Sequence, residues 1–308
     1  MSDDSIDHRE IREESNDLHR AATSGTEHRV DLTDLPDHGR PALRSNPRQV
    51  LLDHPEGQGS KAGLPLSLSY FQVEDYLTCP LKYRYRHIMR IPVLPHHNLV
   101  FGRVLHNTIH FYLKERMSGK RMTEKELLKE YGERWINEGF LSREHEEMRK
   151  KAGEKALLQF YRREEKSRKI PGLLEKNFRW QLDDIKFIGR WDRIDYSKEG
   201  AVIIDFKATE VKDQKEADKK TRDSLQMDLY ALSFARTQDV PLLETRLYFL
   251  ESDIVGHVQK KERELERAVE KIKEVKAGVL SQDFRAKPDW HNCSFCEFRT
   301  ICPDSYAY

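Results

Sequence analysis

The sequence predicts an α/β fold in which a small mixed β-sheet is flanked by helices. Three observations carry that expectation. Ala201-Val-Ile-Ile runs apolar before turning polar at Asp205, as a strand buried on both faces does. Just upstream, Phe178-Arg-Trp-Gln-Leu and Ile185-Lys-Phe-Ile-Gly-Arg-Trp read as two further strands. Charged stretches of helical character, residues 143–167 and 260–277, lie on either side of them.

In chain order, residues 1–64 hold few apolar residues, five histidines and scattered Pro and Gly, with no sustained period. They are expected to be an acidic, largely disordered tail ahead of a domain spanning 65–308, although Val50-Leu51-Leu52 could dock on that domain. The histidines read as solvated surface rather than a metal site. Order is expected from about Leu66. Ser67 or Ser69 can cap a helix, and Phe71, Tyr76 and Leu77 begin an apolar stripe running through Leu81 toward Ile88. Residues 101–116 read as a second helix. Thr123 opens a third, with Glu124 and Glu126 suiting the positive end of its dipole. After the three strands come a helix over 222–237, a strand over 245–250 and the helix over 260–277. A cysteine-bearing segment follows.

Net charge is only +1, but residues 1–60 carry 13 acidic against 7 basic side chains and the remainder 40 against 47. An acidic tail therefore precedes a mildly basic body, which is compatible with nucleic acid. No apolar run reaches the roughly 18–20 residues of a membrane helix. The first residues lack the layout of a secretory signal. A cytoplasmic, reducing location with no membrane attachment is expected, and disulfides are not. There is no phosphate-loop motif of the G-x-x-x-x-G-K-[ST] type, and so no ATP motor.

Cleaving a phosphodiester requires neutralising charge at phosphorus and deprotonating a water. A divalent ion held by a few carboxylate oxygens does both. Gly189-Arg-Trp-Asp192 ends one strand and Asp205-Phe-Lys207 ends the next. The 13-residue separation of Asp192 and Asp205 allows a hairpin that returns the second carboxylate beside the first. Strand alternation puts Asp205 and Lys207 on one face and Phe206 on the other. Lys207 can then orient the attacking water or stabilise developing charge. Asp195 is the rival ligand, but its offset of three along the strand turns it to the opposite face. Gly102-Arg-Val-Leu-His106 places a histidine on the second helix, with His110 one turn further on. Gln226 and Tyr230, four apart, share a helix face and on their own read as surface and core.

The order G-x3-H, G-x-x-D, D-x-K, Q-x3-Y resembles the RecB-type branch of the PD-(D/E)XK nuclease superfamily, over about residues 66–308. One cysteine before these motifs and C-x2-C-x5-C after them resembles its iron–sulfur members. Those are AddB-type nucleases, CRISPR adaptation nucleases and nuclease domains attached to UvrD-like helicases. The resemblance implies a restriction-endonuclease-like core and a Mg²⁺- or Mn²⁺-dependent deoxyribonuclease, an exonuclease on single strands or DNA ends. It implies catalytic roles for His106, Asp192, Asp205 and Lys207. It implies a metal held by His106, Asp192, Asp205 and the Phe206 carbonyl, and DNA-positioning roles in the same site for Gln226 and Tyr230. A helicase or a CRISPR adaptation protein is the implied partner, in DNA repair, recombination or CRISPR-type defence. The sequence departs from many relatives in carrying Asp205 where they have Glu, and in having no helicase. A catalytically idle DNA-binding module and a nuclease subunit dependent on a helicase remain the alternatives.

Cys79 stands alone, 214 residues before Cys293, Cys296 and Cys302. Four thiolates suit tetrahedral zinc or a [4Fe–4S] cluster. The asymmetric spacing, together with the resemblance, favours the cluster, which would tie the two ends of the domain together. Cys79 opens a basic helix carrying Lys82, Arg84, Arg86, His87 and Arg90. Its cationic face is expected either to meet a DNA backbone, with Tyr83 or Tyr85 stacking on bases, or to be solvated.

Overall fold

The structure, a computed structural model, describes residues 66–306. The expected tail, including its histidines and Val50-Leu51-Leu52, lies outside the described residues.

A six-stranded mixed sheet forms the middle layer. Its strands are β1 (Leu66–Leu68), β2 (Leu173–Leu182), β3 (Ile185–Tyr196), β4 (Ala201–Lys207), β5 (Leu242–Phe249) and β6 (Ile254–Val258). β3 is the hub. It pairs antiparallel with β2 along one edge. Its other edge is shared: β1 runs parallel to residues 185–187, and β4 runs antiparallel to residues 193–196. β4 continues parallel to β5, and β5 antiparallel to β6.

Nine helices surround it among the described residues: α1 (Tyr70–Thr78), α2 (Pro80–Tyr83), α3 (His97–Met117), α4 (Glu124–Glu133), α5 (Arg143–Ser167), α6 (Gln214–Asp223), α7 (Leu225–Thr237), α8 (Glu262–Leu280) and α9 (Trp290–Ser294). β4 shows why there are two helical layers. Ala201 and Ile203 enter a core with Val73 and Tyr76 of α1, Phe234 of α7 and Ile272 of α8. Ile204 and Phe206 enter a second core with Leu105 of α3, Tyr131 of α4 and Phe160 of α5. Alternate side chains of one strand thus bury on opposite faces.

Several expectations need correction. The helix expected from Ser69 toward Ile88 is interrupted. Ser69 does cap α1, its backbone N–H donating to Gln72 Oε1 at 2.9 Å. At Cys79 the backbone turns extended, Pro80 restarts the helix, and Arg84–Ile88 winds as a wider π turn. The helix expected over 222–237 is two helices that break at Ser224, which caps α7. β1 and β6 were not expected. Each is short, and neither shows enough alternation to be read alone.

Tyr83 and Tyr85 are 3% and 7% exposed, so they cannot stack on a base as expected. They pack on Phe284 and Phe298 of the returning C-terminal segment. Lys82, Arg86 and His87 do not form a free cationic face either. All three converge on buried Asp75, at 3.0, 2.8 and 2.8 Å. Burial alone would raise the Asp75 carboxyl, but these neighbours hold it below its ordinary value. Lys82 and Arg86 also pair with Glu297, joining α2 to the cysteine segment.

Candidate active site

The groove is made by a missing stretch of pairing. On the edge that β3 offers to β1 and β4, residues 188–192 pair with neither, because the pairing with β1 stops at Phe187 and the pairing with β4 starts at Arg193. Asp192 stands where β3 and β4 part. Its Oδ2 accepts the Phe206 N–H at 3.1 Å and so holds the diverging end of β4. Asp205, Phe206 and Lys207 stay paired to β5, so the fork is rigid on that side. A groove of about 1430 Å³ opens over the gap. The first turn of α1, one face of α3 and the β2–β3 ribbon complete its walls. Gly189 belongs to that ribbon because a Cβ there would overlap the Phe178 ring.

Two carboxylates therefore meet in a place nearly cut off from water. The Asp205 side chain is 3% exposed and that of Asp192 14%. Burial, and then the Asp205 charge, push the Asp192 carboxyl up to about 7. Gln226 Nε2 donates to Asp205 Oδ1 at 2.7 Å, and Lys207 Nζ donates to Gln226 Oε1 at 2.6 Å. Lys207 closes the ring with an ion pair to Asp205 Oδ2 at 2.8 Å. That oxygen is buried and has no aligned hydrogen bond. Burial works against the Lys207 charge, but Asp205 more than offsets it and raises the ammonium above its ordinary value. Lys207 therefore stays cationic at neutral pH.

His106 reaches in from α3. Its Nε2 lies 2.7 Å from the Phe206 carbonyl, and its Nδ1 3.4 Å from Asp192 Oδ2. Tyr230 lines the groove one turn beyond Gln226 on α7. Burial, with the charges of Asp205 and Asp192, holds its phenol proton on.

The donor types are those a hard divalent ion takes, although His106, Asp192 and Asp205 as they stand are not drawn together closely enough to form a three-residue metal group. Two carboxylates are forced together, one oxygen lacks an aligned donor, and a carbonyl and an imidazole lie beside them. His106, Asp192, Asp205, the Phe206 carbonyl, Lys207, Gln226 and Tyr230 are thus brought to one place. Asp195 is not. It turns to the opposite face, where Arg193 donates to it at 2.7 Å and pairs with Glu164 of α5 at 2.9 Å. His110 lies 3.8 Å from Glu175. Among the groove residues that escaped the sequence reading are Phe71, expected in the core but 63% exposed, and the exposed Arg103 and Arg179. Arg103 had a signal, since it lies one turn from His106 on the same helix face.

Cys79, Cys293, Cys296 and Cys302 together line a second, small cavity, and all four are free thiols. Cys79 Sγ accepts the Lys287 N–H at 3.5 Å. Burial pushes the Cys296 and Cys302 thiols up, and the neighbouring cysteines add to this. Among the described residues, no group of three or more His, Cys, Asp or Glu side chains is gathered closely enough to hold a metal ion. The cysteines are walls of a cavity rather than a closed ligand set.

A family model described as the PD-(D/E)XK nuclease superfamily matches residues 67–303. A crystal structure from Eubacterium rectale, described as that of a candidate exonuclease, is 12% identical. It covers 76% of this chain and 87% of its own, with a TM-score of 0.47. The structure of SSO0001 is 13% identical over 83% of this chain and 91% of its own, with a TM-score of 0.38. At these scores neither similarity bears on what this chain does. No curated protein matches the chain significantly. No helix of the described residues is long and apolar enough to cross a membrane.

Proposed function

The chain belongs to the PD-(D/E)XK nuclease superfamily, and from that premise we propose a Mg²⁺- or Mn²⁺-dependent deoxyribonuclease of its RecB-like branch. It would act as an exonuclease on single strands or DNA ends, in repair, recombination or CRISPR-type defence, beside a helicase or adaptation protein. The domain would be residues 65–308, with 1–64 as a tail, and free thiols suit a reducing cytoplasm. The observation that carries the chemistry is the Asp192–Asp205 pair, buried side by side with one oxygen lacking an aligned donor.

His106, Asp192, Asp205 and the Phe206 carbonyl would hold the ion. When bound, it would neutralise phosphate charge and lower the pKa of a water. The remaining roles fall to this chain's own side chains. Lys207 is fixed between Asp205 and Gln226 and is cationic, so it orients the attacking oxygen and stabilises charge rather than accepting a proton. Gln226 sets the Lys207 geometry and the Asp205 rotamer together. Tyr230 offers a phenol O–H to the strand.

The test is cleavage of an end-labelled strand with and without Mg²⁺ or Mn²⁺. Asp205→Ala should lower the rate by about 10³-fold or more. Binding of the same strand in EDTA should persist. Wild-type cleavage by this variant would remove the assignment.

For the cysteines the reading is a [4Fe–4S] cluster, with zinc as the alternative. Its support is the gathering of Cys79 with three cysteines more than 200 residues away around one cavity. Anaerobically purified protein should be brown and carry about four iron atoms per chain. Cys79→Ser should lower stability as much as Cys296→Ser, because each removes one anchor of the same long-range crosslink. Stoichiometric zinc in colourless protein would replace the cluster but keep the crosslink. Unchanged stability in both variants would remove it.

A further inference from the structure

Phe71 is the aromatic ring that the groove leaves bare. Of the others lining it, Phe178, Phe206 and Tyr230 are at most 7% exposed and Tyr70 is half-buried, against 63% for Phe71. It stands on the first turn of α1, directly after the strand whose end opens the gap in the sheet. Tyr70 supports it, with the ring centroids 5.1 Å apart. A single exposed phenylalanine is ordinary on a protein surface, but this one shares a groove with the carboxylate pair. Arg103 of α3 and Arg179 of β2 line the same groove. Both are exposed, and no ion pair among the described residues involves either.

Free guanidinium groups for phosphates and a bare ring for a base are the two features that bind single strands without regard to sequence. A duplex meets only the first, because each of its base faces is already covered by a stacked neighbour. We infer that Phe71 is the stacking platform for an unpaired base of single-stranded DNA, whose phosphates pass Arg103 and Arg179 on the way to the carboxylates. The inference rests on the nuclease reading above and deepens it by naming the form of the substrate.

The experiment uses the full chain in EDTA and a single-stranded oligonucleotide carrying 2-aminopurine, whose emission falls when it stacks. Wild-type protein should bind it and quench it, and should bind the matching duplex more weakly. Phe71→Ala should weaken single-strand binding about tenfold and abolish the quench. Phe71→Trp should restore both. Thermal melting should be unchanged in both variants, because the ring is mostly solvated and packs little core. Wild-type affinity and quench in Phe71→Ala would overturn the platform, as would equal affinity of the wild type for duplex. Quenching without any Mg²⁺- or Mn²⁺-dependent cleavage would instead remove the nuclease reading and leave the platform standing.

Discussion

Asp192 and Arg193 are neighbours on β3, yet their side chains leave the strand on opposite faces and meet opposite circumstances. Arg193 is 3% exposed and fully answered, with Asp195 in a two-bond fork at 2.7 and 3.0 Å and Glu164 at 2.9 Å. Asp192 is buried beside a second carboxylate, with its proton held up to about 7. Each cluster sets two carboxylates against one cation, and each keeps a buried oxygen without a hydrogen bond, Glu164 Oε2 in one and Asp205 Oδ2 in the other. The closed cluster is the one whose cation bridges both carboxylates, whereas in the open one Lys207 pairs with Asp205 and leaves Asp192 facing a like charge. A carboxylate pair bridged by one guanidinium is structural, whereas a buried pair that no cation bridges stores a demand for one.

The largest expected effect tests the closed cluster. Arg193→Ala leaves Glu164 buried without its cation and should cost about 3–5 kcal/mol of folding stability. Denaturant melts would read the loss. Cleavage per folded molecule should be unchanged, and a stable variant with impaired cleavage would break the division between the two faces.

A smaller effect, of opposite sign, tests the open cluster. The folded-state value for Asp192 lies above the ordinary 3.8, so its contribution to stability is fully present below about 3.8. That contribution is lost as pH rises through about 7. Without metal, Asp192→Asn should therefore melt higher than wild type at pH 8, by about 2–4 °C for each kcal/mol relieved. The gain should shrink at pH 5, and added Mg²⁺ should stabilise wild type at pH 8 but not the variant. A gain that is equal at both pH values would mean that Asp192 is not under this strain.

The open cluster was more legible in the sequence than the helices around it. An apolar strand ending in Asp-Phe-Lys fixes which side chains share a face, because strand period is two and admits no drift. That argument brought Asp205 and Lys207 together and turned Phe206 into the other core. Phe71 was misread because hydrophobicity alone says core. The phase of Val73 and Tyr76, both buried, turns the opposite side of α1 inward and was the usable signal. Tyr83 and Tyr85 carried no such signal. Their burial depends on Phe284 and Phe298, some two hundred residues later, and no local pattern announces a returning segment. α6 was missed because only Ala217 and Thr221 of its residues are buried, too narrow a stripe to stand out against charge.

The shared edge of β3 also bears on how the chain is made. Leu66 pairs with Ile185, and the Tyr76 hydroxyl donates to the Asp283 carbonyl at 2.7 Å. A ribosome therefore releases β1 and α1 long before their partners exist. α3, α4 and α5 can pack on one another from local contacts, while α1 waits for β3, α7 and α8. The wall that carries Phe71 is thus synthesised before every element it docks on, and its place in the fold is settled only when they arrive.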